Sequence, residues 1–320
     1  YIDKMRTFIY LFCFVFVFNL KAQDVHFSQF SVSSMGLNPA LVGNQSVDFK
    51  ASFQKRTQWA SVAKPFSSIA ANFEVKDILK KTSVGFQFLN DMAGDANFTT
   101  SQFNAAISNS FSIDRDKDFS TGILLGFTQR KVDFAALIFE QDEQLQNPSF
   151  IFFDLGIGSN YSAIVNDNFS FITGLSVYHI NKPKQTLLND ENVRLKEKYN
   201  SYLLTFYRLN NTIILNPSLL YSRQGKSSEF VLGTTIRHEL SSINMEFISQ
   251  IFYRWDDAII PAFGLNYNSI IAVISYDINT SDLVAASQNK GGFEFSIIYM
   301  WNKKKRKQRR EIKKYCPKYL

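Results

Sequence analysis

The feature that most limits what this chain can fold into is a two-residue alternation sustained over unusual lengths. Phe153, Leu155, Ile157, Tyr161 and Ala163 alternate with Asp154, Gly156, Gly158, Asn160 and Ser162, and a period of two marks a strand with unlike faces. Val165-Asn166-Asp167-Asn168 then supplies turn formers. Phe169, Phe171, Leu175 and Val177 take one parity of the next run, Ser170, Gly174 and Ser176 the other, completing a hairpin. One face is aromatic and branched, the other small and polar. Each arm is about a dozen residues long, against the five or six usual in soluble sheets, and so can cross a bilayer at a tilt.

The same pattern predicts strands near 47–59, 66–77, 82–92, 97–113, 119–133, 151–164, 169–181, 199–208, 212–223, 229–239, 243–255, 257–267, 269–278 and 291–302. In hydrocarbon every backbone donor and acceptor must be paired inside the protein, so such a sheet has to close. The fold class expected is all-β: a transmembrane antiparallel barrel of about 14 strands, of the outer-membrane type, over 47–302. An even strand number returns both ends of the sheet to one side. Alternate connections also differ in length. One set is short, as at 165–168 and 209–211; the other holds the long ones, 134–150, 182–198 and 279–290. Short periplasmic turns and long external loops are usual in such barrels. The 32 Phe, 14 Tyr and 3 Trp coexist with a mean hydropathy of −0.12, as expected when apolar faces are diluted by polar ones. Glycines at 85, 122, 126, 156, 158, 174, 233 and 264 fall within strands. They imply either a tapered or plugged lumen with close backbone approach, or curvature at barrel corners.

The ends of the chain differ from the barrel. Thr7 to Leu20 is continuously apolar, follows Met5-Arg6 and precedes Lys21-Ala22-Gln23. It is too short for an ordinary spanning helix and reads as a secretory signal over 1–22, with 1–4 an upstream extension and cleavage near Ala22 or Gln23. Cys13 lies inside that apolar core without the small residues of a lipid-attachment site. Its removal leaves Cys316 alone, so no intrachain disulfide can form. The segment 23–46 is expected to lie in the periplasm, with Pro39 and the pre-proline restriction on Asn38 imposing an extended turn. Of the formal charge of +7, the stretch from Lys303 to Lys318 supplies ten basic residues against Glu311 alone, leaving a near-neutral body and a basic periplasmic tail, 303–320.

Several short motifs recur in order. Phe27-Ser28-Gln29-Phe30 precedes Leu37-Asn38-Pro39-Ala40 and Gly43; Arg56-Thr57-Gln58-Trp59 follows. Then come Phe153-Asp154, Gly156, Gly174-Leu175-Ser176, His179 with Pro183, Asn216-Pro217-Ser218, Arg254-Trp255-Asp256-Asp257-Ala258, Ser275-Tyr276-Asp277-Ile278 with Ser281, and a final Cys316-Pro317-Lys318-Tyr319. In this order the chain resembles the PorP/SprF family of type IX secretion outer-membrane proteins over nearly all of its mature length. The usual Cys-Pro ending is here followed by Leu320. The resemblance implies an outer-membrane barrel that works with the type IX machinery, serving secretion or surface attachment of a client such as a gliding adhesin carrying a C-terminal sorting domain. It does not imply an enzyme.

The residues support no catalytic, cofactor or metal centre. Ser176 and His179 would point to opposite faces of one strand, no Gly-x-Ser-x-Gly elbow exists, and His26, His179 and His238 lack ligand spacing. The candidate partner-binding residues are Asn38 and Pro39 in the opening motif, Arg254, Asp256 and Asp257 at a strand end, and the basic run Lys303, Lys304, Lys305, Arg306, Lys307, Arg309 and Arg310. A paired rim charge is the plain alternative for the Arg-Asp-Asp corner. Trp59 and Trp255 suit interface belts. The loops at 140–143 and 189–198 are candidates for client recognition. The expected partners are outer-membrane lipid, the secretion machinery and an exported client; nucleic acid is excluded by export, although basic runs often bind it. A passive channel or hydrophobic-solute transporter is the alternative function.

Overall fold

The computed structural model describes residues 24–58, 65–94, 98–132, 149–185, 193–240, 243–281 and 291–303. The signal segment, Trp59, the 140–143 loop, part of the 189–198 loop and the tail from Lys304 onward, with Lys305, Arg306, Lys307, Arg309 and Arg310, lie outside the described residues.

Fourteen strands form one closed barrel. In chain order they are β1 (Phe49–Gln58), β2 (Phe66–Leu79), β3 (Thr82–Ala93), β4 (Phe98–Asp114), β5 (Lys117–Lys131), β6 (Ser149–Asn166), β7 (Phe169–Tyr178), β8 (Lys198–Arg208), β9 (Ile213–Gln224), β10 (Ser227–Leu240), β11 (Met245–Arg254), β12 (Ala258–Tyr267), β13 (Ile270–Asn279) and β14 (Gly292–Trp301). Each strand pairs antiparallel with its sequence neighbour, and β1 closes on β14 from Phe49↔Trp301 to Gln58↔Gly292. No edge is left for lipid to meet. The turns at 80–81, 115–116, 167–168 and 268–269 mark one end of the barrel. The connections 132–148, 179–197 and 280–291 mark the other. By that asymmetry the first end is periplasmic and the second external.

The alternation sorts the side chains as the sequence predicts. On β5, Ile123, Leu125 and Phe127 are exposed on the outer wall while Ser120, Leu124, Thr128 and Arg130 are buried inside. Phe49 stacks on Trp301 at 5.2 Å and Tyr299 on Trp301 at 4.7 Å, beside the seam at the periplasmic end. Trp255, 65% exposed, meets the Tyr253 ring edge-on at 5.9 Å at the external end. Both groups suit membrane interfaces, where an aromatic ring sits among headgroups. Leu125→Arg, placed midway along β5, is expected to lower stability by about 2–4 kcal/mol, the usual cost of a cation near the midplane on the lipid face. Unfolding followed by heat-modifiable gel mobility in defined lipid vesicles measures it.

One sequence expectation is corrected. The segment 23–46 does not lie outside the barrel on its periplasmic side: its described residues run through the lumen. Ser33 caps a single helical turn, α1 (Ser34–Leu37), by accepting from the Gly36 amide. Asn38 is extended, with φ −162° and ψ 124°, and its side chain caps the 3-10 turn Pro39–Leu41. The extended turn predicted at Asn38 is therefore present, between two short helical turns. Leu37 and Leu41 pack against Tyr202, Leu220, Val231, Phe252, Ala258 and Ile260; Met35 and Val42 pack against Ala106, Leu124 and Tyr178. The segment is a plug with its own apolar seat.

Candidate functional site: the plugged lumen

A loop buried in a barrel leaves backbone amides and carbonyls without water, and each must find a partner. The polar parity of the strands supplies them. At the centre of the plug, Tyr178 donates to the Met35 carbonyl at 2.6 Å, Ser176 and Asn200 donate to the Leu37 carbonyl at 2.8 and 3.0 Å, and Ser108 donates to the Ala40 carbonyl at 3.2 Å. Asn38 is fully buried. Its amide donates to the Ser159 carbonyl at 2.8 Å and to the Tyr202 hydroxyl at 3.1 Å, while its oxygen accepts from the Ala40 amide at 2.8 Å. Two of the strand glycines make this fit possible. A Cβ on Gly158 would lie 1.9 Å from Asn38 Oδ1, and one on Gly122 would lie 2.4 Å from the Pro39 carbonyl carbon. At Gly233 and Gly264 the obstruction is the neighbouring strand, so close approach within the wall explains those positions.

Above this seat, towards the external end, the Ser28-Gln29 pair is held by charge. The Ser28 and Gln29 amides donate to the two Glu294 oxygens at 2.7 and 3.1 Å. The Ser28 hydroxyl lies 2.7 Å from Asp277 Oδ1 and accepts from Arg254 at 2.8 Å. Asp277 is bracketed by two guanidinium groups, Arg56 at 2.6 Å and Arg254 at 3.0 Å. Arg254 also reaches Glu229 at 2.8 Å and Asp257 at 3.0 Å. The Gln29 side chain donates to Ser275 at 3.0 Å and accepts from Ser296, and its carbonyl accepts from Gln54 at 3.2 Å. Arg56 donates in addition to the His26 carbonyl. Buried charges this close to partners of opposite sign are held in one geometry, although Arg56 Nε is left without a hydrogen bond, 4.0 Å from Glu294.

At the external mouth a histidine closes the arrangement. His179 Nε2 is 2.6 Å from Asp24 and Nδ1 is 2.9 Å from Asp154, and the Asp24 amide donates to Gln224 at 2.9 Å. The expectation that Ser176 and His179 face opposite ways does not hold. β7 ends at Tyr178, and His179 turns its ring inward from a left-handed backbone, φ 58°. The two residues still form no catalytic pair, since Ser176 bonds Leu37 while His179 bonds the two carboxylates. Burial opposes charge on His179, but Asp24 and Asp154 outweigh it and raise its pKa to about 9. Burial likewise disfavours charge on Asp24, and His179 overrides it to hold the carboxyl well below its ordinary range.

The sign of the His179 shift sets a pH window. A raised pKa contributes stability that is complete below about 6.5 and is lost as pH rises through about 9. Lys198 and Arg130 also lie near Asp24. Protease cleavage near Asp24 is therefore expected to accelerate between pH 8 and 10 in the wild type and to be fast and pH-independent over that interval in His179→Gln.

The candidate residues of the opening motif and of the strand-end corner are mostly turned inward. Asn38, Pro39 and Arg254 are buried in contacts between plug and wall. Asp257 completes the Arg254 cluster, as the plain rim-pair alternative has it, while Asp256 is exposed in the turn after β11. The Lys303 amide donates to Asp48 at 2.7 Å and its ammonium sits 5.7 Å from the Phe49 ring centre. Sequence reasoning did not single out Ser28, Gln29, Asp277 or Glu294 as a site. The available signal was charge of both signs on the polar parity of Arg56, Asp277 and Glu294. Between plug and wall a cavity of about 120 Å³ remains, lined in part by His26, Phe27, Gln54, Gln102, Asn200 and Leu220, with room for a few ordered waters. Among the described residues no group of His, Cys, Asp and Glu is placed to hold a metal ion.

Several residues that hold the plug, among them Arg56, Asp154, Ser176, His179, Arg254 and Asp277, fall in the ordered motifs, and residues 19–299 match the profile of the family described as "Type IX secretion system membrane protein PorP/SprF". The chain belongs to the PorP/SprF family. As a PorP/SprF barrel it resides in the outer membrane, and its family and fold are of non-enzymatic types. No curated protein matches the sequence. Solved structures share the fold at low identity. The toluene transporter TbuX of Ralstonia pickettii has a TM-score of 0.54 at 8% identity over 83% of this chain and 92% of that one. The P. putida toluene transporter TodX has a TM-score of 0.53 at 8% identity over 87% and 95%. A Pseudomonas aeruginosa FadL homologue has a TM-score of 0.50 at 10% identity over 83% and 93%. At these identities the likeness is one of fold alone.

Proposed function

We propose that this PorP/SprF barrel is a non-conducting docking protein of type IX secretion, supporting export or surface attachment of a client protein such as a gliding adhesin. The observation that carries the reading is the occupied lumen: a segment tied by buried ion pairs and seated on glycines stands where a passive solute would have to pass. What remains is the barrel as a fixed post. Its long external loops, with Asp256 among the exposed residues of that end, hold the client through its C-terminal sorting domain. Its periplasmic end meets the secretion machinery, and the basic run after Trp301 supplies charge for an acidic subunit face or an anionic lipid surface.

The test is a deletion strain. Loss of one large surface protein, restored by the wild-type gene and found with the solubilised barrel by mass spectrometry, supports docking; an unchanged surface proteome overturns it. Removing 304–320 is expected to leave heat-modifiable barrel in the membrane while reducing co-purification of machinery subunits. Unchanged co-purification removes the tail from the account. A channel for hydrophobic solutes is the second reading, left open by the small residues that face the lumen and by the transporters that share the fold. Wild-type conductance or solute uptake favours it, and the seated plug opposes it.

A further inference from the structure

We propose that the plug crosses the outer membrane from face to face, so that Asp24 is presented at the external mouth while Lys303 lies at the periplasmic end. Fourteen strands alone would return both ends of the sheet to the periplasm. The plug leads back out from one of them. Its path is fixed by contacts at successive depths: Asp24 to His179 just past the external end of β7 and to Gln224 at the external end of β9, Ser28 to Glu294 near the external end of β14, and Ser33 to Asn72 within β2. Lower down, the Gly43 amide reaches Glu74, the Gln45 carbonyl accepts from Lys76 at 2.7 Å, and the Asp48 amide donates to Asn302 at 3.1 Å, just past the periplasmic end of β14. The segment therefore enters from outside and leaves into the periplasm, where it turns back as β1.

The geometry also says what keeps it there. The Asp24, His179 and Asp154 group fastens the external end, and the charged clamp on Ser28 and Gln29 stands directly behind it. Trp301 ends β14 at the opposite face, where Lys303 lies next to Asp48. An outside partner is thus offered a handle that runs without a break to the periplasmic end. The inference needs the orientation of the barrel but not the client, so it stands or falls apart from the docking function.

Cysteine labelling in whole cells tests it. In a Cys316→Ser background, a Gly-Ser-Cys insertion immediately before Asp24 is compared with Lys226→Cys in the external β9–β10 turn and Lys80→Cys in the periplasmic β2–β3 turn, both exposed positions. With a membrane-impermeant maleimide, the insertion and Lys226→Cys are expected to label in intact cells, and Lys80→Cys only after the outer membrane is opened. Labelling of the insertion only together with Lys80→Cys overturns the proposal, and so does the reverse behaviour of the two turn positions. If the insertion blocks assembly, Val25→Cys adds no residues and is read the same way.

Discussion

Gly158→Val turns a silent barrel into a conducting one. The added side chain cannot coexist with Asn38, whose oxygen already lies where the new Cβ must go, 1.9 Å away. Nor can Asn38 swing aside. Its oxygen holds the Ala40 amide and its nitrogen holds the wall at Ser159 and Tyr202, so moving it undoes the 3-10 turn as well. The plug must leave this seat, taking Leu37 and Leu41 out of their apolar contacts. In planar bilayers the wild type is expected to pass no steady current and Gly158→Val to open discrete, long-lived steps, with both proteins retaining heat-modifiable mobility. Gly122→Val, blocked by Pro39, should behave alike, and Thr121→Val on the lipid side of the same strand should remain silent. A silent Gly158→Val barrel would mean that something other than this seat closes the lumen.

Asp277→Ala is expected to be the most destabilising change at a single charged residue. It removes the group shared by Arg56, Arg254 and Ser28 and leaves two guanidinium groups facing each other away from water. Breaking a buried ion pair from one side costs about 3–5 kcal/mol, because the abandoned charge has nowhere to go. Replacing the cluster by apolar residues of similar volume is often nearly neutral. The triple change Arg56→Met, Arg254→Met, Asp277→Leu is not such a replacement, because it strips Glu229, Asp257 and Glu294 of their cations, and it should not recover the loss. Unfolding in urea, followed by intrinsic fluorescence in lipid vesicles, separates the cases. If Asp277→Ala unfolds at the wild-type midpoint, the network is ornamental to stability.

Much of the barrel was legible from the chain because a strand needs only local information. Phe103, Ala105 and Ile107 alternate with Asn104 and Ser108, and that alone sets β4 and its lipid face. What fills the lumen is not local. The residues from Asp24 to Gly43 have no sustained period, so sequence placed them outside, and their partners stand on strands far along the chain. The glycines carried half of the message. Gly122 and Gly158 sit on the polar parity, where a plug and a bend at a barrel corner leave the same trace. His179 was misplaced for another reason: one residue at positive φ ends β7, and beyond it parity no longer reports direction. At Arg254 and Asp257 the rim pair is real, at 3.0 Å, but the same guanidinium continues inward to Asp277 and Ser28.

The Ser28-Gln29 clamp draws its ligands from both sides of the place where the cylinder is sewn shut: Gln54 on β1, Glu294 and Ser296 on β14, with Ser275 and Asp277 on β13. Ser28 and Glu294 are 266 positions apart. Their meeting has to wait for nearly the whole chain to be made, and contacts so distant in sequence are slow to form. A chain cut short before β14 lacks the stitches that secure its own beginning. Completion of the cylinder and the fastening of Ser28 and Gln29 therefore come together, and an unfinished copy lacks both.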